Sequence, residues 1–229
     1  MQVSGIYLMT IHIFDVDYTI IKKPSSWYFL LEALGERVIS IGQISQLPFE
    51  WLRYKIGLPN QDFIEEAIKH IAGIEKSVLE QLAASCFERR IRRNIYRGAA
   101  ELIEKIRNRG ENVIFATSSI SIMIEPLEKF FGVTESIASV LEFNEGKTTG
   151  RLCGVSFFGR KKKAAVEIRL GRHLIKPENV YFYSDSYTDL PLLEFCGHPV
   201  AVNPDRFLAR EAEKRNWEIL RFRETLGKQ

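Results

Sequence analysis

The sequence predicts an α/β fold: a mostly parallel sheet with helices on both faces, carrying an all-helical insert. Three observations predict it. From Gly98 onward, short apolar runs alternate with helical periodicities, the pattern of successive β–α units. Residues 23–95 show no strand-like alternation and repeat their apolar side chains only at helical spacing. Finally, three apolar runs far apart in sequence each stop at polar or acidic residues, which a parallel sheet brings to one edge.

In chain order, Gly5 to Phe14 reads as the first strand, with Asp15 and Asp17 just beyond it. Pro24, Ser25 and Ser26 read as a loop with a helix N-cap. Four helices follow. Leu30, Leu31 and Leu34 mark the first, which ends at Gly35. Leu47, Trp51, Leu52 and Ile56 mark the second, closed by Gly57 and Pro59. Ile64, Ala67, Ile68 and Ile71 mark the third, closed by Gly73. Val78, Leu79, Leu82, Ala83 and Cys86 mark the fourth. This is enough chain for a small bundle, so residues 1–22 and 96–229 are assigned to the α/β core and 23–95 to the insert.

Ala99 to Arg109 is an amphipathic helix stopped by Gly110. Asn112 to Ala116 is a buried strand with Thr117, Ser118 and Ser119 at its end. Ile120 to Phe131 is a helix and Ser136 to Phe143 a strand. A turn at Asn144-Glu145-Gly146 leads into a hairpin partner from Thr149. The basic run Arg160-Lys161-Lys162-Lys163 opens a helix to Arg172. Val180 to Tyr183 is a strand followed by Asp185 and Asp189. A short helix from Leu190 to Phe195, a strand from Pro199 to Val202, a helix with Pro204 at its first position and a strand from Trp217 to Leu220 complete the chain.

A chain of 229 residues, 45% apolar, supports one large domain or a domain with a modest insertion. The net charge of +3 is too small to argue for nucleic acid. Cys86, Cys153 and Cys196 lie far apart, without metal-ligand spacing, as buried thiols of a reducing compartment do. No apolar run is long enough to span a bilayer, and the N-terminus lacks the layout of a signal peptide, so a cytoplasmic location is expected. The arginines at 89, 90, 92, 93 and 97 read as a solvated helix face rather than an anion- or membrane-binding patch.

Asp15 and Asp17, two positions apart at a strand end, repel each other unless a cation or a shared proton holds them. Other strand ends offer a hydroxyl group and two further acids, and the basic run at a helix start offers a lysine. A hard cation and a lysine to neutralise phosphate, a hydroxyl to hydrogen-bond it and a carboxylate to attack it make the inventory of a phosphoryl-transfer site.

Four segments in order carry a resemblance: Asp15-Val16-Asp17-Tyr18-Thr19, the apolar strand ending at Thr117, a lysine in the run 161–163, and Asp185-Ser186-Tyr187-Thr188-Asp189. The chain resembles the haloacid dehalogenase superfamily, and within it the phosphoserine-phosphatase-like branch. The resemblance implies a Rossmann-like core and a helical cap entering after the first motif, where the insert lies. It implies that Asp15 is the nucleophile of an aspartyl-phosphate and that Asp17 is the acid/base group. Thr19 would support the motif turn on the phosphate side, and the motif hydroxyl would be Thr117, with Ser118 beside it. The family spacing back from Asp185 selects Lys162. Mg²⁺ would be held by Asp15, Asp17 through its backbone carbonyl, Asp185 and, directly or through water, Asp189. The implied activity is phosphomonoester hydrolysis of a small phosphorylated metabolite, with phosphate transfer to another acceptor and a non-catalytic binding module as alternatives. Phosphoserine phosphatases carry a glutamate nine residues after the nucleophile, where this chain has Pro24, and glycines after the motif serine, where it has Ser118 and Ser119. Phosphoserine itself is therefore not singled out as the substrate.

Overall fold

Ile11–Phe14 (β1) is buried at every position, because it runs through the middle of the sheet and is covered on both faces. The computed structural model describes residues 10–40 and 63–227. The first part of the expected first strand and the expected helix around Leu47 to Ile56 lie outside these. Asn112–Ile120 (β2) pairs with one edge of β1 and carries Ser136–Ser139 (β3) on its far side. Leu141–Asn144 (β4) and Lys147–Leu152 (β5) form a separate antiparallel hairpin. Val180–Ser184 (β6) pairs with the other edge of β1, followed outward by His198–Val202 (β7) and Glu218–Leu220 (β8). The order is β3-β2-β1-β6-β7-β8, and every pairing is parallel.

Register sets what the sheet presents. Phe14 pairs with Phe115 on one side and Tyr183 on the other, so the residues that follow all three emerge at one edge. Alternation sets the faces. Ile11, Ile13, Ile114 and Phe182 pack against Val166 and Leu170 of Arg160–Arg172, Leu193 of Leu190–Leu193, and Leu208 of Arg206–Arg215. On the other face, Phe14 and Phe115 pack with Ile103 and Ile106 of Arg97–Asn108 and with Ile124 and Leu127 of Ser121–Phe131. Among the described residues the helices are, in chain order, α1 (Ser25–Gly35), α2 (Phe63–Lys69), α3 (Lys76–Cys86), α4 (Arg97–Asn108), α5 (Ser121–Phe131), α6 (Arg160–Arg172), α7 (Leu190–Leu193) and α8 (Arg206–Arg215). A π turn, Phe87–Ile91, and a 3₁₀ turn, Arg92–Asn94, prolong α3.

Several boundaries differ from the sequence reading, each for a local reason. β2 runs on through Thr117, Ser118 and Ser119, and α5 begins only at Ser121. The expected strand from Ser136 to Phe143 breaks at Val140. Its first half completes the sheet, and its second half leaves to pair with β5 across Glu145 and Gly146, both left-handed (φ 48° and 77°). Pro204 is not the first helical residue of α8. Asp205 caps that helix by accepting from the amides of Phe207 and Leu208, and Pro204 precedes the cap. Ser25 is the first residue of α1 rather than its cap. The arginines also do more than face water. Glu32 of α1 is buried at 1% exposure, and accepts from Ser85 Oγ at 2.6 Å, Arg90 Nε at 2.6 Å and Arg89 at 3.3 Å. A carboxylate removed from water needs such partners, and they tie α1 to α3.

Glu32→Ala leaves Ser85 and Arg90 without their acceptor. It is expected to lower folding stability by roughly 2–3 kcal/mol, read from urea unfolding midpoints, with Glu32→Gln losing less. A midpoint equal to that of the unaltered protein would show that the cluster holds nothing together.

Candidate active site

Beyond Phe14 the backbone stays in the sheet for one more bond: the amide of Asp15 donates to the carbonyl of Tyr183 at 2.9 Å. The Asp15 carboxylate thus stands on a fixed support at the mouth of β1, at 6% exposure. Across the mouth, α6 starts after Gly159, whose φ of 54° and ψ of −120° suit a residue without Cβ. This start aims one lysine of the basic run inward. Lys162 is buried and its ammonium donates to Asp15 Oδ1 at 3.0 Å and to Asp189 Oδ2 at 2.8 Å. Lys161 is exposed, and Lys163 pairs with Glu167 at 3.0 Å on the helix surface. Ser184, the last residue of β6, donates to the same Asp189 oxygen at 2.8 Å.

The charges do not balance. Burial disfavours the Lys162 ammonium, but Asp15 and Asp189 outweigh it and hold its pKa above the usual value. Burial pushes Asp15 up to about 7, with Lys162 opposing the rise and Asp189 and Asp17 adding to it. Asp185 rises well above the ordinary carboxylate range through burial and the nearby Asp15 and Asp189. Among the described residues, the Lys162 ammonium is set against the carboxylates of Asp15 and Asp189, which it touches, and of Asp17 and Asp185 nearby.

Asp17 is held apart from the lysine. Its Oδ1 accepts from the Ser25 amide at 2.8 Å, and its Oδ2 from Ser119 Oγ at 3.3 Å. Ser25 Oγ and Ser119 Oγ lie 2.5 Å apart. Burial raises the Asp17 pKa, and the Ser25 and Ser119 hydrogen bonds oppose that rise. Tyr18, in the left-handed region at φ 60°, turns the chain between Asp17 and Thr19. Thr19 is buried and donates to Asp185 Oδ1 at 3.4 Å, a long contact. Thr117 is buried in the extension of β2, where its Oγ1 accepts from the Ser119 amide at 3.2 Å. Ser118 is half-buried and contributes its carbonyl, to Ser139 Oγ at 3.3 Å. The structure thus gathers Asp15, Lys162 and Asp189 in one group and brings Ser119, not Ser118, to Asp17. Ser119 is two positions past Thr117, so strand alternation puts it on the same side, a signal the sequence does carry. Ser25 carried none beyond its place at a helix start.

Among the described residues, no three His, Cys, Asp or Glu side chains form a ready metal-ligand set. The donor chemistry still fits Mg²⁺. Lys162 and Ser184 occupy Oδ2 of Asp189, and Lys162 occupies one oxygen of Asp15. Asp15 Oδ1 keeps a lone pair beyond its bond from Lys162, and the Asp185 carboxylate has only the long contact from Thr19; both are hard anionic groups for a cation to meet. Mg²⁺ is commonly held by one or two carboxylates, with water and phosphate completing its shell.

Comparison with known proteins agrees with this geometry. The family model for haloacid dehalogenase-like hydrolases matches residues 13–194. The chain is 27% identical to phosphoserine phosphatase SerB1 of Mycobacterium tuberculosis, over 92% of this chain and 70% of that protein. It is 28% identical to a histidinol-phosphatase of Neisseria meningitidis serogroup C, over 92% of this chain and 98% of that protein. A solved structure from Bordetella pertussis Tohama I, a protein of unknown function, superposes with a TM-score of 0.82 at 25% identity, covering 93% of this chain and 98% of that one. With the acids, the lysine and the strand order all in place, this chain belongs to the haloacid dehalogenase-like hydrolases and is an enzyme of the phosphatase type.

Proposed function

We propose that the chain hydrolyses a small organic phosphate monoester with Mg²⁺, through an aspartyl-phosphate on Asp15. The observation that carries this reading is the Lys162 ammonium bridging Asp15 and Asp189 at the strand mouth. It anchors Oδ1 of Asp15 and leaves Oδ2 to attack phosphorus. The same charge stands where phosphate oxygens gather negative charge in the transition state. Bound Mg²⁺, held by Asp15, the carbonyl of Asp17 and Asp185, would neutralise the phosphate and let the anionic nucleophile approach it. Thr117 supplies the hydroxyl to a phosphate oxygen, Thr19 steadies Asp185, and Asp189 acts through Lys162.

Asp17 does the proton work. Its raised pKa favours the protonated form that can donate to the leaving oxygen. The resulting carboxylate then takes a proton from the water that attacks the aspartyl-phosphate. The Ser25 amide and the Ser119 hydroxyl hold it in place, so the first turn of the insert participates in aiming the acid. We assign residues 1–22 and 96–229 to the catalytic core and 23–95 to a cap that covers the mouth and selects the substrate. The relatives' names, for phosphoserine and histidinol phosphatases, support a small phosphorylated metabolite as substrate. Pro24 at the N-cap of α1 offers no carboxylate to an amine, which argues for a substrate other than phosphoserine. Among the described residues no helix is long and apolar enough to cross a membrane.

Three outcomes test this reading. Asp15→Asn is expected to abolish phosphate release from p-nitrophenyl phosphate and to prevent a beryllofluoride adduct. Near-normal turnover would remove Asp15 as nucleophile.

Lys162→Ala is expected to lower kcat by roughly a hundredfold or more, whereas Lys161→Ala and Lys163→Ala change it little. Steady-state kinetics on the three variants decide between them.

The third concerns pH. Asp15 has a folded pKa of about 7 against an ordinary 3.8, so between those values the folded state binds more protons than the unfolded one. Stability from this group is therefore lost as pH rises through that window and is level above it. In EDTA, the thermal midpoint of the unaltered protein is expected to fall relative to Asp15→Asn across the window. Added Mg²⁺ should restore more stability above pH 7 than near pH 4. A midpoint difference that is flat with pH would contradict the charge imbalance.

A further inference from the structure

We infer that the hydroxyl of Tyr28 recognises the alcohol half of the substrate, donating a hydrogen bond to an acceptor atom carried by the leaving group. The inference rests on the phosphatase reading and deepens it. Tyr28 lies on α1 and is 6% exposed. Its hydroxyl oxygen is fully buried and makes no hydrogen bond. A buried phenol in that condition lowers stability relative to a satisfied one, and buried polar groups otherwise find partners. A missing partner inside an enzyme cap is explained when the partner arrives with the substrate.

The position of Tyr28 says which part of the substrate that is. It stands one helical turn after Ser25, on the same face of α1, and Ser25 gives its amide to Asp17 while its hydroxyl meets that of Ser119. Long helical side chains lean toward the helix N-terminus, over the preceding turn, so the Tyr28 ring leans toward the proposed acid. Burial, the largest influence on its phenol, keeps it protonated at neutral pH, and Tyr96, Arg93, Asp17 and Cys86 act on it electrostatically. It is thus a donor one turn along α1 from the residue that holds the group proposed to protonate the leaving oxygen. The ligand class follows: phosphate monoesters whose alcohol bears an oxygen or an unprotonated nitrogen near the ester carbon. An ester with a bare alkyl alcohol leaves the phenol unsatisfied, and a site built around such a donor rejects it.

The test is Tyr28→Phe, which removes the hydroxyl and keeps the ring. With Mg²⁺ present, kcat/KM is measured for glycerol phosphate and histidinol phosphate, and for propyl phosphate as the ester without an acceptor. p-Nitrophenyl phosphate serves as a general reporter. The unaltered protein is expected to prefer the acceptor-bearing esters. The variant is expected to lose roughly tenfold to a hundredfold on at least one of them, with propyl phosphate changed less than twofold. Without ligand, its thermal midpoint should equal or exceed that of the unaltered protein, since only an unpaired hydroxyl has gone. Equal losses on all esters, or no loss on any, would overturn the assignment. So would a midpoint lowered by several degrees, which would mean that the hydroxyl serves the fold. If p-nitrophenyl phosphate is turned over normally by both proteins, such a failure belongs to Tyr28 alone. If the unaltered protein releases phosphate from none of the esters, the phosphatase reading fails and this inference falls with it.

Discussion

Among the described residues, one buried ammonium set against four carboxylates organises the molecule. Lys162 reaches Asp15 and Asp189 only because parallel pairing of β1 with β6 brings the ends of those strands level, and because α6 follows a glycine that lets the chain turn inward. If the β1–β6 register slipped by one residue, the side chain after Phe14 would face the opposite side of the sheet. The core beneath is therefore a positioning device. Phe14, Phe115 and Phe182, all at 1% exposure or less, lock the strands whose ends carry the acids and hydroxyls of the mouth.

The imbalance that remains has a direction. Buried carboxylates without enough positive charge raise one another's pKa values, and a cation or a proton relieves them. Asp15 stands beside the lysine, whereas Asp17 is held by an amide and a hydroxyl. Two acids two positions apart thus occupy different electrostatic surroundings. This separation suits one to attack and the other to carry a proton.

Much of this was legible in the sequence, for identifiable reasons. Apolar runs ending in acids show both the buried strand and the mouth beyond it, so Asp15 and Asp185 could be placed at strand ends before any coordinates. Lys162 emerged from a run of three lysines only through family spacing, because nothing local distinguishes it from its neighbours. What stayed hidden depends on contacts across long stretches of chain. The arginines at 89 and 90 look like solvent-facing charge until Glu32, more than fifty residues earlier, is found buried beneath them. The break at Val140 is invisible to periodicity, since apolar residues continue on both sides while the chain changes sheets. Ser25 and Ser119 are ordinary serines in sequence and meet only because α1 and the extension of β2 converge on Asp17.

The apolar cluster that joins the insert to the sheet bears on how such a protein can be re-engineered. Tyr28, Phe29 and Ala33 of α1 and Leu79, Leu82 and Cys86 of α3 share one continuous interior with Ile122, Met123 and Leu127 of α5. A chimera that exchanged only residues 23–95 for another cap would set a foreign surface against a face of α5 shaped for this one, leaving voids or clashes. The transplantable module is larger than the inserted segment. It takes in the outward face of α5, a helix some thirty residues further along the chain, which must be redesigned together with whatever cap is grafted.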